Sequence, residues 1–312
     1  MMRTMTAFVV PEAQANTVEP ARVPVPQIGA DELLVRIKAV GVGIHDSYFL
    51  PSDAAYPFPA GIEAAGVVEA VGSQVEGRHL GERIAFVSSM QVKGGTWAEY
   101  AAVRADSMIL PIPDGLDFVQ AAAIPVAGST ALRAMCTLPP IPAGGSIFVA
   151  GASGAIGTFA IQLARLRGWR VAASASRRNH DYLAALGATM IVDYHEASWP
   201  DRIRSWAPDG VDAALAVPPH TSTDSLTVVK NGGTVVTISG DKPTTERGVK
   251  VILPSFGVDV SEGMRELFDQ VGRGEIRLEI EHVYPFDQAP MALAKVQTRH
   301  ARGKLVLSLT GD

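Results

Sequence analysis

The first hundred residues carry short apolar runs rather than long amphipathic stretches. Leu33-Leu34-Val35-Arg36-Ile37-Lys38-Ala39-Val40 alternates at its centre, the period-2 pattern of a half-buried strand. Residues 65–72 and 83–87 are apolar runs that end at Gly or Ser. Their spacing, with Pro and Gly between, predicts a small barrel or sandwich. The Pro-rich stretch 23–26 is expected to be extended. The middle of the chain reads differently. Ser146-Ile147-Phe148-Val149-Ala150 is a strand, and Ile156, Phe159, Ala160, Leu163 and Leu166 then recur at helical spacing. Strands are expected at 170–173, 190–192, 211–216 and 234–238, with a sixth at 249–253. Helices are expected near 179–186, 198–206 and 222–230. This alternation predicts an α/β domain, a doubly wound six-stranded parallel sheet with helices on both faces. One amphipathic helix near 261–271 follows, and a strand over 303–309 is expected to return to the first domain.

Composition narrows the reading. The chain has 312 residues, enough for about two domains. A net charge of −5 offers no basic face for nucleic acid or anionic lipid. No apolar run approaches the ~20 residues of a membrane span. The first ten residues read as a strand rather than a signal peptide. Cys136 is the one cysteine, so a disulfide framework is ruled out. It lies in a helical stretch and is expected to be a packed core thiol in a cytoplasmic protein.

The chemistry starts at Gly151-Ala152-Ser153-Gly154-Ala155-Ile156-Gly157, between the first strand of the αβ region and its first helix. Small residues let the backbone turn tightly and approach a pyrophosphate, and the free N–H groups at the helix start face the anion. Gly157 is expected to let that helix pack close to the sheet. An NAD site places Asp or Glu about 20 residues after such glycines, to bond the ribose hydroxyls. Here the next strand ends in Ser174-Ala175-Ser176-Arg177-Arg178, with no acid before Asp181. Two guanidinium forks and two hydroxyls suit a 2′-phosphate, so NADPH is the expected cofactor. Tyr194, after the third strand, is placed to flank the adenosine end. Val217 and Ile238, at the ends of the fourth and fifth strands, complete the expected cofactor contacts.

Together these features resemble the medium-chain dehydrogenase/reductase superfamily, specifically its zinc-free quinone oxidoreductase branch, the zeta-crystallin type. Gly61-Ile62-Glu63-Ala64-Ala65-Gly66-Val67-Val68 resembles the family's Gly-x-Glu-x-x-Gly-x-Val segment. Gly94-Gly95-Thr96-Trp97-Ala98-Glu99-Tyr100 resembles its Gly-Gly-x-x-Ala-Glu-Tyr turn. Residues 121–131 resemble the segment entering the cofactor domain, and Leu186-Gly187-Ala188 with Val192-Asp193-Tyr194 follow in family order. The resemblance implies a GroES-like catalytic domain, residues 1–123 and 258–312, interrupted by a Rossmann domain over 124–257. It implies that Thr130 lies near the nicotinamide and phosphates and that Tyr194 helps hold the adenosine phosphate. Asp46, Tyr48 and Tyr56 match positions near the substrate cleft. Gly43 stands where the family has asparagine, a departure that bears on the substrate contacts.

A closed structural zinc site needs four Cys or His ligands, which one cysteine cannot supply. Ile62 replaces the histidine of the zinc enzymes' Gly-His-Glu segment, and Ile44 stands where a cysteine ligand is expected. No metal is therefore expected. Short-chain dehydrogenases need Tyr-x-x-x-Lys, and none of the six tyrosines has Lys four residues on. Without a Lewis acid, quinones and enones are the fitting acceptors, because added hydride is delocalised onto a conjugated oxygen. Tyr48 is the expected donor to that oxygen, with His45 or water as second choice. An enoyl-thioester or alkenal reductase on the same scaffold is the alternative, and a non-catalytic NADPH-binding protein a further one. The apolar sixth strand predicts a homodimer through the cofactor domain.

Overall fold

The computed structural model describes residues 3–88 and 90–309. The chain divides into two compact units, Met1–Val126 with Met264–Asp312, and Ala127–Gly263.

The first unit opens with eight strands: β1 (Thr4–Val10), β2 (Glu19–Pro24), β3 (Glu32–Val42), β4 (Phe58–Pro59), β5 (Glu63–Val71), β6 (Arg83–Val87), β7 (Tyr100–Arg104) and β8 (Ile109–Pro111). Strand β3 is its organiser. Leu33, Val35 and Ile37 point into the core while Leu34, Arg36 and Lys38 face outward. From Ala39 to Val42 every residue is buried. This change from half-buried to fully buried comes where β16 replaces β7 beside β3, and there alternation gives way to a small and apolar run. Trp97 lies fully buried among Leu33, Val35, Ile37, Ile84 and Phe86. Its backbone bonds Phe8 and Ala60, each at 2.8 Å.

The second unit holds six parallel strands: β9 (Ser146–Ala150), β10 (Arg170–Ser174), β11 (Met190–Val192), β12 (Val211–Ala216), β13 (Val229–Thr237) and β14 (Lys250–Ile252). Their spatial order is β11-β10-β9-β12-β13-β14, that of a doubly wound sheet, the class of sheet predicted. Every residue of β9 is buried, and its alternation serves two cores. Ile147 and Val149 pack with Ala160, Ile161 and Ala164 of the helix Ala155–Leu166. Phe148 and Ala150 pack with Trp199 and Ile203 of the helix Trp199–Trp206. Phe148 and Trp199 stack at 5.3 Å between ring centroids. A buried side chain of that size contributes roughly 1.5–3 kcal/mol. The strand β15 (Ile280–Pro285) and the strand β16 (Lys304–Ser308) belong to the first unit, where β16 pairs antiparallel with β3.

Some expectations need correction. The helix expected over 222–230 is shorter, Thr221–Leu226, because β13 already begins at Val229. The turn-like Asn231-Gly232-Gly233 hid the first residues of that strand; its partnering with β12 carries a register shift. One helix was expected after the sheet, yet Ala289–Gln297 forms a second, with Pro290 in its first turn where its missing N–H costs nothing. Strand β15 was also unforeseen. It is largely exposed and lacks an apolar pattern. Cys136 is exposed rather than a core thiol. Its neighbours Ala134 and Met135 take the inward face of the helix Pro125–Thr137 instead.

Candidate active site

Thr130 apart, each expected cofactor residue of the second unit lies at or beyond the carboxyl end of a parallel strand, where doubly wound sheets bind nucleotides. Residues 151–157 follow β9 and run into the helix Ala155–Leu166, whose N-cap Gly154 brings no side-chain hydrogen bond. Its amide groups therefore suit an external anion. Gly151 has φ +71°, and a Cβ there would lie 2.5 Å from Pro218 Cδ. A Cβ at Gly157 would lie 2.6 Å from the Ala152 backbone. By contrast, a Cβ at Gly154 would meet only the Gly151 carbonyl, at 3.6 Å, so the loop is packed beneath and open above. Ala152, Ser153, Ala155 and Ile156 fill the turn between these glycines.

Ser174 is buried, and its carbonyl accepts from Ala152 N at 3.1 Å, so it holds the loop through its backbone. Ser176 accepts from Asn179 Nδ2 at 3.2 Å. Arg177 and Arg178 form an exposed 3₁₀ turn, and Arg177 lies 3.6 Å from Glu196. Asp193 accepts from Arg177 N and from His195 N, both at 3.0 Å. The His195 bonds, first its backbone N–H, hold the Asp193 carboxyl below its usual range. Tyr194 is 45% exposed, with its ring 4.2 Å from that of His195. Val217 and Ile238 stand just beyond β12 and β13, half-buried. Thr130 is half-buried in the helix Pro125–Thr137. Asp193, noted only within the segment Val192-Asp193-Tyr194, and Glu196 were not among the expected site residues. Their signal was an acid pair following β11, next in space to the arginine-bearing β10.

The expected substrate-side residues belong to the first unit, and three share one turn. The His45 carbonyl accepts from Tyr48 N at 3.1 Å and from Phe49 N at 2.8 Å. This sets the His45 ring 5.3 Å from Tyr48 and 6.4 Å from Phe49. Tyr48 and Phe49 are about half exposed. Burial, then Arg299 and Lys304, lowers the His45 pKa, so its ring is neutral at neutral pH. Tyr56 is partly exposed on the loop before β4. Asp46 differs from the expectation of a substrate contact. It is buried, and its Oδ2 accepts from Gly43 N at 2.8 Å and Trp97 Nε1 at 3.1 Å. Burial pushes this carboxyl up to about 7.

Behind the turn lies an ion pair that the sequence reading missed. Glu63 and Lys304 are both buried and bonded to one another. The other Glu63 oxygen accepts from Val126 N at 2.7 Å. Gly41 lies opposite Glu63, and a Cβ there would be 2.7 Å from Glu63 Cδ and 2.3 Å from the Ala122 carbonyl. The bare backbone of β3 therefore makes room for Glu63. The signal was a lysine at the head of the apolar Lys304-Leu305-Val306-Leu307 and a glutamate in an otherwise small and apolar strand.

The chain matches two family models, an alcohol dehydrogenase GroES-like domain over residues 29–114 and a zinc-binding dehydrogenase domain over 186–307. Mouse (Mus musculus) quinone oxidoreductase is 30% identical, over 92% of this chain and 91% of its own. The Arabidopsis thaliana NADPH-dependent alkenal/one oxidoreductase is 30% identical, over 91% and 73%. Among solved structures, a quinone oxidoreductase from Coxiella burnetii superposes with a TM-score of 0.84 at 25% identity, covering 99% and 100%. The name of the second family model implies zinc. Among the described residues, no three His, Cys, Asp or Glu side chains gather as a metal cage. Glu63 is engaged by Lys304, and Cys136 is exposed in the other unit. These residues do not fit a zinc ion. Two matched domains, the doubly wound strand order and near full-length likeness agree: the chain is an oxidoreductase of the medium-chain dehydrogenase/reductase superfamily and belongs to its quinone oxidoreductase branch.

Proposed function

We propose that this protein is an NADPH-dependent, metal-independent reductase of quinones or small α,β-unsaturated carbonyls. Residues 1–123 and 258–312 form its catalytic domain and 124–257 its cofactor domain. The observation that carries the cofactor choice is the exposed pair Arg177 and Arg178 at the end of β10, where an NAD site would hold an acid. Residues 151–157 bind the pyrophosphate through backbone N–H groups, and Ser174, Ser176, Tyr194, Val217, Ile238 and Thr130 border the cofactor. NADPH supplies the hydride. Tyr48 donates a hydrogen bond or proton to the developing oxygen, and Tyr56 borders the acceptor. His45, neutral because burial lowers its pKa, is the weaker donor. Likeness to an alkenal/one oxidoreductase favours enals beside quinones. Among the described residues no helix is long and apolar enough to cross a membrane, in keeping with action in the cytoplasm.

The test is NADPH oxidation against a panel of quinones, enals, enones and enoyl thioesters, with and without a chelator. Turnover of quinones or enones that survives chelation is expected, faster than with NADH. Loss on chelation with recovery on adding zinc would overturn metal independence, and turnover confined to enoyl thioesters would select the alternative substrate class. We also propose a homodimer through β14, the sheet's last strand, whose Val251 and Ile252 are only half-buried. Light scattering should give twice the chain's 32.9 kDa, and a mass near 32.9 kDa would refute it.

A further inference from the structure

Asp46 ties an exposed turn to a buried frame. Its backbone N donates to the Gly43 carbonyl at 3.2 Å while its Oδ2 accepts from Gly43 N at 2.8 Å, closing residues 43–46 on themselves. The same oxygen accepts from Trp97 Nε1, and the Asp46 carbonyl accepts from Gly61 N at 3.1 Å. Gly61 has φ +101°, and a Cβ there would strike Trp97 Cδ1 at 2.2 Å. Turn, glycine and indole therefore pack as one piece. Trp97 is fully buried, so its N–H has no water to fall back on. His45 and Tyr48 are carried by the backbone on either side of this anchor.

We propose that Asp46 is a positioning residue for the reaction, its carboxylate fixing through Trp97 Nε1–H and Gly43 N–H the turn that presents His45 and Tyr48. This rests on the reading that the turn faces the acceptor. A carboxylate makes charge-assisted bonds to both donors, and a neutral acid makes weaker ones. Five influences meet at this carboxyl. Burial and Glu63 on β5 favour the neutral form. Lys304 on β16 and the two N–H donors favour the ionised form. Their balance leaves the carboxyl titrating at about 7. His45, on the same turn and facing Arg299 and Lys304, titrates below its ordinary value. Turnover should therefore rise through an inflection near 7 that belongs to Asp46.

The experiment is the pH profile of kcat with a quinone acceptor for wild type, Asp46→Asn, Trp97→Phe and Tyr48→Phe, with NADPH affinity measured alongside. Asp46→Asn keeps a neutral acceptor of the same shape. It should fold, lose the inflection, and hold kcat about fivefold below the wild-type upper plateau with NADPH affinity unchanged. Trp97→Phe removes one donor that favours the charged form, so its inflection should move upward. That variant keeps the test alive if Asp46→Asn does not fold. A wild-type profile in either variant overturns the inference. If Tyr48→Phe leaves turnover untouched, the reading of the turn itself fails. If Tyr48→Phe lowers turnover while Asp46→Asn changes nothing, only the role of Asp46 fails.

Discussion

The two units prepare their sites by opposite means. In the cofactor unit the loop 151–157 is shaped by backbone: a glycine at φ +71°, another pressed against Ala152, and a helix start free of side-chain capping. Its parts are neighbours in sequence. In the first unit the turn 43–49 is held by a side chain from a distant segment, Trp97 on Asp46, and the buried pair of Lys304 and Glu63 lies behind it. Backbone cradles tolerate exchange of the side chains around them. A site held by buried polar side chains is more exacting, because removing one partner strands the other.

The largest effect that would test this contrast is expected at Lys304. Lys304→Met leaves Glu63 buried and short of its cation, a change that costs on the order of 3–5 kcal/mol. Adding Glu63→Gln should restore a large part of it. Urea denaturation of the single and double variants checks this, with Arg3→Ala as a reference. Arg3 pairs with Glu69 at the surface, at 2.7 Å, and exposed pairs contribute about 1 kcal/mol or less. Equal costs at Lys304 and Arg3 would remove the contrast.

A smaller and more selective effect is expected in the cofactor unit. Replacing Arg177 and Arg178 together by Ala should weaken NADPH about ten- to a hundredfold and leave NADH nearly unchanged. On the proposed reading, the backbone loop grips what the two cofactors share, while the guanidinium groups reach only what distinguishes them. Calorimetric titration of both cofactors decides it. Equal weakening would mean that the arginines support the loop itself.

The same contrast explains what was legible in the sequence. Strands β9, β11 and β12 can be read to the residue because each is a short, mainly apolar run bounded by turn residues. The loop 151–157 is legible because the phosphate-binding role proposed for it depends on glycine at close spacing. Residues His45, Asp46 and Tyr48 could be singled out, yet the inward turn of Asp46 could not, because its partner Trp97 is 51 residues away. Strand β15 and the helix Ala289–Gln297 went unread for a related reason. The strand is exposed, and the helix buries only Ala289, Ala292 and Leu293, too little apolar pattern to stand out.

The exposed thiol of Cys136 has a practical use. As the chain's one cysteine, it accepts a single maleimide dye without any background mutation. It lies on the same helix as Thr130, two turns further along. On the proposed reading that Thr130 borders the cofactor, a fluorophore there gives an optical titration of cofactor binding in otherwise wild-type protein.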